Sequence, residues 1–212
     1  MADFDPDPEI PEEAEFWMPS EEESGEGLAY FHDVWDMRGI SRADAEAVVA
    51  LEQSIIRALD LLATDAESFE ELASVLEFCG TEFPPEDDPE QMAMFDLLAA
   101  QVSLGLGELN GLEIGVAGVS HALSAIGGIP AASCRSHAKD HSWSDAPVVY
   151  FATGKLRAEW LQPLVESSGC GFCVDSVRPN LLAIRARSVL DMNRLAAMIL
   201  SPEVDGQLSL LE

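Results

Sequence analysis

The stretch Gly128-Ile-Pro-Ala-Ala-Ser-Cys-Arg-Ser-His137 decides the fold of this chain, because the periodicity of the sequence changes within it. The segment before it, residues 112–126, has a helical pattern, and Gly127-Gly128 is typical of a helix stop. Residues 129–134 and 147–151 then have the pattern of short buried strands. The last five residues of the stretch gather a thiol, an imidazole, a guanidinium and two hydroxyls at the expected end of a strand. Open α/β sheets commonly place binding sites there.

The patterns that follow complete a small α/β unit. They are, in order, a helix from Thr153 that Pro163 must kink or split, strands at 171–174 and 181–186, and a last helix capped by Ser188 with Asp191. This order predicts an α+β fold, namely a two-layer α/β sandwich with a small mixed or antiparallel sheet and helices on one face. The expected α/β domain spans residues 111–203, followed by a C-terminal tail at 204–212.

The preceding segment, residues 28–110, has helical periodicity. Ser41 with Asp44 and Thr64 with Glu67 have the spacing of helix N-terminal caps, and Asp88-Pro89 starts a third helix. The segment carries eighteen acidic and three basic side chains. It is therefore expected to form an acidic helical bundle.

Charge is distributed unevenly along the 212 residues, whose formal net charge is −28. Residues 1–27 carry eleven acidic side chains and no basic one, and their richness in Pro, Asp and Glu predicts a disordered acidic tail. Residues 111–212 are nearly neutral, with ten acidic and eight basic side chains. A chain this acidic is repelled by nucleic-acid phosphates, so direct nucleic-acid binding is disfavoured. The acidity is explained by a solvated surface, by docking onto a basic protein partner, or by carboxylates that mimic a nucleic-acid backbone.

The N-terminal sequence lacks a basic region followed by an apolar run, so no signal peptide is expected. The apolar runs are interrupted well short of about 18 residues, so no membrane span is expected either. Four cysteines in such a chain are expected to be reduced thiols, and the protein is expected to be cytoplasmic.

The segment 112–187 resembles a group of small bacterial and phage α/β proteins whose signature is a helix, Gly-Ile-x-Thr, Ser-Cys-x-Gly-His and an apolar strand ending in Phe. The matching residues are Gly128, Ile129, Ser133, Cys134, His137 and the strand 148–151. The chain departs from the signature where Ala131 or Ala132 replaces the Thr and where Ser136 replaces a Gly, the residue that permits a positive φ. A similar Ser-Ser-Cys-Ser-Gly-Arg element marks the tRNA wybutosine-synthesis methyltransferase domain. That resemblance implies S-adenosylmethionine as the cofactor and RNA as the substrate.

Two pairs of residues have the spacing of zinc ligands. They are Cys134 with His137, as C-x2-H, and Cys170 with Cys173, as C-x2-C, and together they offer the four ligands of a tetrahedral structural zinc site. Two observations favour buried, apolar cysteines instead. Cysteine is commonly buried, and the expected strand would direct Cys170 and Cys173 to opposite faces.

Two further kinds of site are consistent with the C-terminal half. Cys134 is a candidate nucleophile, with His137 or His141 as its base and Arg135 lowering the thiol pKa. An anion pocket for a phosphate or nucleotide is the other candidate, with free backbone N–H groups at the helix that follows Thr153. Its expected residues are Ser133, Arg135, Lys155, Arg157 and Arg185, among cations that also include Lys139, Arg178 and Arg187. The alternative is that these cations are solvated or pair with the acidic bundle.

Two terminal segments are candidates for protein binding. Phe16 and Trp17 lie among acidic residues and either insert into a partner groove or fold back on the domain. The tail resembles the bacterial sliding-clamp-binding peptide Gln-Leu-Ser/Asp-Leu-Phe: Gln207, Leu208, Ser209 and Leu210 match it, and Leu211 replaces the Phe. A Leu-rich tail that packs on its own domain is the alternative.

These observations favour a non-catalytic cytoplasmic interaction or regulatory protein that docks a partner protein, basic or a sliding clamp, through its acidic and terminal segments. The alternative is a nucleotide- or RNA-related enzyme or ligand-sensing domain that uses Cys134, Arg135 and His137.

Overall fold

The computed structural model of the chain describes residues 5–20, 37–77, 89–101, 109, 111–137, 144–175 and 178–202. The helices of this part are α1 (Arg42–Leu62), α2 (Ala66–Glu77), α3 (Pro89–Gln101), α4 (Ala117–Ala125), α5 (Lys155–Ser168) and α6 (Val189–Ile199). The strands are β1 (Ile129–Cys134), β2 (Val148–Ala152), β3 (Cys170–Asp175) and β4 (Arg178–Ala186). The predicted α+β fold is confirmed, and the element order from α4 onward is the expected one.

The four strands form one antiparallel sheet in the order β1-β2-β4-β3. Cys134 pairs with Val148, and Val149 pairs with both Ser133 and Ile184, so the end of β1 lies beside the start of β2. Pro130 lies at an irregularity of the register in the edge strand β1. This is a position where proline is tolerated, because an edge strand has fewer ladder hydrogen bonds to lose.

One face of the sheet packs against helices and forms the main core. Val149 and Phe151 of β2 and Ile184 of β4 are fully buried there. The helical side chains of this core come from α4, α5 and α6 and from the start of α1: Ala45, Val49, Val119, Leu123, Leu161, Val165, Leu195 and Ile199. The sheet is therefore half of a two-layer sandwich with its helices on one side.

Helix α1 contributes to two cores. Its first turns join the main core through Ala45 and Val49, and its later turns pack with α2 around Ile55, Leu59 and Leu76. The second core also includes Ile114, from the segment that leads into α4, and Ala117, the first residue of α4. The separate acidic bundle expected over residues 28–110 is thus not confirmed, because α1 packs directly on the α/β unit.

Two of the predicted helix caps are confirmed and one is corrected. Ser41 accepts a hydrogen bond from the Asp44 N–H at 3.1 Å, and Ser188 accepts one from the Asp191 N–H at 3.3 Å. The cap expected from Thr64 and Glu67 is formed one position later. Asp65 accepts from the Ser68 N–H at 2.9 Å, and the Ser68 hydroxyl accepts from the Asp65 N–H at 3.0 Å.

Two helices differ from their expected bounds. Helix α4 starts at Ala117 rather than near residue 112, and Gly115, with φ of 99°, precedes it. It ends as predicted, since the Gly128 N–H returns to the Leu123 carbonyl at 2.9 Å. Helix α5 is not split at Pro163.

Residues 5–20 lie against the domain, so the prediction that all of 1–27 is disordered is wrong for this part. The Asp7 carbonyl accepts the Phe172 N–H at 2.7 Å along the outer edge of β3, and the Pro179 carbonyl accepts the Glu15 N–H at 2.8 Å. Phe16 packs against the main core, and Trp17 forms a bridge to Thr153. The apolar side chains and free sheet-edge groups supply the contacts that composition alone did not indicate.

A search of the described helices for a stretch long and apolar enough to cross a bilayer finds none.

The close contact of the N-terminal segment with β3 gives a first prediction. A Cβ on Gly171 would lie 2.5 Å from the Asp7 nitrogen and 2.8 Å from the Pro6 carbonyl carbon. Because both are backbone atoms, Gly171→Ala is expected to displace the segment and to lower the free energy of unfolding by about 1–3 kcal/mol. Hydrogen exchange of the Phe172 amide should become faster.

Gly154→Ala is the matched control, since nothing lies within 4 Å of the added Cβ. Unchanged protection of the Phe172 amide in Gly171→Ala would contradict the placement of residues 5–20.

Candidate functional site

The end of β1 turns sharply, and this turn brings the predicted site residues together. Ser136 has φ of 70°, the left-handed conformation that usually requires glycine. Its backbone N–H donates to the Cys134 Sγ at 3.3 Å. Ser136 therefore adopts a backbone conformation that non-glycine residues rarely take, and a ligand atom of Cys134 lies within 4.8 Å of a ring nitrogen of His137.

Arg135 points from this turn into α2, and its side chain is only 2 % exposed. Its Nη2 and Nε donate to the two carboxylate oxygens of Glu70 at 2.9 and 3.2 Å. Its Nη1 donates to Glu77, which also accepts the Ile114 N–H at 2.7 Å. The guanidinium thus joins the sheet to α2 and, through Glu77, to the segment before α4.

His137 lies between two carboxylates. Its Nδ1 is 2.6 Å from Glu70 Oε1, and its Nε2 is 3.1 Å from Glu113 Oε1. The other oxygen of Glu113 accepts the Arg135 backbone N–H. We call Glu70, Glu77, Glu113, Arg135 and His137 the charge cluster.

Burial and charge act in opposite directions on these groups. Burial alone would raise the pKa of Glu70, but the Arg135 and His137 contacts outweigh it and lower that pKa. Burial raises the pKa of Glu77 to about 7 despite the attraction of Arg135. Burial disfavours the His137 cation, yet its hydrogen bond to Glu70 and the charge of Glu113 raise its pKa. Carboxylates of the charge cluster therefore favour the charged forms of both Arg135 and His137.

The four-residue zinc site expected from the sequence is not formed. Cys170 packs in the main core on the helix-covered face, and Cys173 packs beside Cys134, Val148 and Ala183 on the opposite face. Strand alternation separates the two thiols, so both cannot meet Cys134 and His137. Burial raises the pKa of the Cys170 thiol to about 12, which keeps it protonated.

Three of the four cations expected in the anion pocket, Arg135, Lys155 and Arg185, are paired with different carboxylates. Arg185 pairs with Asp145, and Lys155 lies 3.8 Å from Glu159 on the same helix. Of the other residues considered for this pocket, Ser133 lies on β1, Arg157 lies beside Gly127, and Arg187 pairs with Asp5. Lys139 and His141 lie outside the described residues.

The three catalytic candidates Cys134, Arg135 and His137 are close in space, but their surroundings limit their chemistry. Cys134 is 1 % exposed, and Arg135 is bound by two glutamates. A cavity of about 70 Å³ lies beside the charge cluster, lined by Glu77, Leu109, Gly111, Leu112 and Glu113. It is smaller than the roughly 300 Å³ at which ligand pockets usually begin, so neither a nucleotide nor S-adenosylmethionine fits in it.

Sequence reasoning missed the carboxylates of the site. Glu70 and Glu77 are seven residues apart and flank the buried side chains of α2. Acidic residues at these core-facing positions of a helical pattern could therefore have indicated that their carboxylates bind a buried cation. Glu113 precedes α4 in a segment that the helical pattern assigned to that helix. The tail residues Gln207, Leu208, Leu210 and Leu211 lie outside the described residues, so their role stays a prediction.

Another buried carboxylate lies away from the charge cluster. Glu52 of α1 is fully buried and accepts hydrogen bonds from the Gly115 N–H at 2.8 Å and from Asn193 Nδ2 at 3.0 Å. It thereby satisfies the N-terminal end of α4, and its position explains why that helix starts late. Burial raises the pKa of Glu52, although Asn193 and nearby backbone N–H groups oppose the shift.

Comparison with known proteins finds no match for this chain among protein-family models, curated proteins or solved structures. The resemblances noted in the sequence therefore remain predictions.

Glu52 gives a prediction on pH dependence. Because its pKa is raised in the folded state, its contribution to stability is fully present below the ordinary value of 4.5 and is lost as the pH rises through the raised pKa. The free energy of unfolding of the wild type minus that of Glu52→Gln should therefore fall as the pH rises above 4.5. Urea unfolding at a series of pH values measures it.

Glu46→Gln is the control, because Glu46 lies exposed on the same helix. If the free energy of unfolding of the wild type minus that of Glu52→Gln is constant with pH, or rises with pH, the burial of the Glu52 carboxylate is contradicted.

Proposed function

We propose that the protein is a non-catalytic, cytoplasmic interaction or regulatory protein that docks a basic partner protein on its acidic surface. The observation that carries this proposal is the state of Arg135, the most buried cation of the expected pocket. Its charge is engaged by Glu70 and Glu77 of the same chain. An enzyme that bound anionic substrates with this side chain would first have to break both ion pairs.

Helix α2 supports the proposal because it divides its glutamates between two faces. Glu70 and Glu77 face the sheet and bind Arg135, whereas Glu67 and Glu71 are exposed. We call the exposed side chains Asp60, Leu61, Asp65, Glu67 and Glu71 the acidic face; they come from the end of α1, the turn after it and α2.

The composition of the acidic face suits a protein partner. Leu61 is 82 % exposed and lies between the exposed Asp60 and Asp65 in the chain, so a partner bound there would contact an apolar side chain as well as carboxylates. Carboxylates on the rim raise the association rate with a cationic partner, and binding of this kind weakens as salt increases.

The C-terminal tail is a second expected docking segment. Its likeness to the sliding-clamp-binding peptide makes a bacterial sliding clamp the partner to test for Gln207, Leu208, Leu210 and Leu211. This role is independent of the acidic face, so substitutions on the acidic face and deletion of the tail test the two roles separately.

Charge reversal on the acidic face tests the main proposal. A partner protein is first captured with the full chain and purified. Asp60→Lys/Glu71→Lys is then expected to weaken its binding by roughly tenfold, about 1.4 kcal/mol, because two attractive charges become repulsive. Asp60 lies in the last turn of α1, where a cation is compatible with the helix dipole, so the fold should survive. Titration calorimetry at several salt concentrations measures the effect.

Glu159→Lys/Glu166→Lys on α5 changes the net charge equally, also at one mid-helix and one last-turn position, and should leave binding nearly unchanged. If both double variants lose the same affinity for the partner, the effect is due to net charge alone, and the proposal that binding occurs at the acidic face is contradicted. Unchanged binding in the first variant contradicts the proposal too, and loss on deletion of 207–212 alone would assign docking to the tail.

A further inference from the structure

We propose that Glu113, Cys134 and His137 form a zinc site at the junction of β1, α2 and the segment before α4. This set differs from the sequence-based zinc prediction, since Glu113 takes the place of both Cys170 and Cys173. It also adds a function to the turn at Ser136 that partner docking does not require.

The positions of the ligand atoms carry the inference. One carboxylate oxygen of Glu113, the Cys134 Sγ and a ring nitrogen of His137 all lie within 4.8 Å of one another. The Glu113 Oε1 to His137 Nε2 distance is 3.1 Å, close to the separation of about 3.3 Å that zinc–oxygen and zinc–nitrogen bonds give in a tetrahedral site.

The groups behind these ligands are a second, independent observation. Histidine ligands of zinc commonly donate their other ring N–H to a carboxylate, and His137 Nδ1 lies 2.6 Å from Glu70. The non-ligating oxygen of Glu113 accepts the Arg135 N–H, and Cys134 Sγ accepts the Ser136 N–H at 3.3 Å. All three ligands are thus oriented by hydrogen bonds before any metal arrives.

Charge balance and ligand type favour zinc. On binding, the Cys134 thiol and the His137 Nε2–H each release a proton to solvent, leaving a thiolate, a carboxylate and a neutral imidazole. The two negative charges balance one dication. A thiolate with an imidazole and a carboxylate suits Zn²⁺ better than Mg²⁺ or Ca²⁺, which prefer oxygen ligands. Three protein ligands leave a fourth position for water.

Access to the site is also compatible with metal exchange. The side chains of His137 and Glu113 are 28 % and 31 % exposed, so an ion can enter from solvent on their side, while Cys134 is buried behind them. Because Glu113 precedes α4 and the other two ligands lie at the end of β1, a bound ion would link the sheet to the segment before α4 and, through the contact of His137 with Glu70, to α2.

Cobalt titration of the full chain, made without a histidine tag and stripped by a chelator, tests the proposal. Co²⁺ should bind in one equivalent with a sulfur-to-cobalt charge-transfer band in the near ultraviolet, and Zn²⁺ should displace it. Cys134→Ala should abolish the band, and Glu113→Gln should weaken binding. Glu70→Gln should weaken it by roughly 10–100-fold, because Glu70 orients His137.

Two neighbouring substitutions are the controls. Cys173→Ala removes a second thiol on the same sheet face, and Glu71→Gln removes the exposed carboxylate next to Glu70; both should leave affinity unchanged. Circular dichroism checks that each variant is folded. If Cys134→Ala does not fold, the Co²⁺ affinity of Glu113→Gln tests the proposal, because Glu113 is partly exposed. Failure of the wild type to bind a stoichiometric ion overturns the proposal. The proposal is also overturned if Glu113→Gln binds Co²⁺ as tightly as the wild type does, or if Cys173→Ala lowers the Co²⁺ affinity as much as Cys134→Ala does.

Discussion

Arg135 carries a positive charge into a position that is 2 % exposed, and the cost of desolvating it constrains what surrounds it. Glu70 and Glu77 meet that constraint from α2, and Glu113 adds a third carboxylate from the segment before α4. A buried ion pair of this kind contributes little net stability compared with apolar packing. Its role is to fix the position of the end of β1 relative to α2 and the segment before α4.

The same contacts explain both proposals. Because α2 directs Glu70 and Glu77 inward, its remaining glutamates, Glu67 and Glu71, form an exposed face that suits a basic partner. Because Arg135 is held in place, the turn that contains it keeps Cys134 and His137 close to Glu113. A metal ion bound there would stabilise this junction, so the proposed docking and the proposed metal binding would both depend on it.

Sequence patterns predicted what depends on neighbouring residues. Strand 129–134 and the caps at Ser41 and Ser188 follow from local periodicity and side-chain spacing, and all are confirmed. Features that depend on distant residues were not predictable in this way. Helix α4 starts late because Glu52, more than 60 residues earlier, binds the Gly115 N–H. Likewise the partners of Arg135 lie 65 and 58 residues away.

A double-mutant cycle on Arg135 and Glu70, measured by urea unfolding of the metal-free chain, tests the central claim most directly. Arg135→Met should cost about 3–5 kcal/mol in the wild-type background, because it leaves buried carboxylates without their cation. In the Glu70→Met background the same change should cost less, with a coupling energy of about 1–3 kcal/mol. Additivity of the two changes within about 0.5 kcal/mol would contradict the account, since it would mean that no buried ion pair joins the sheet to α2.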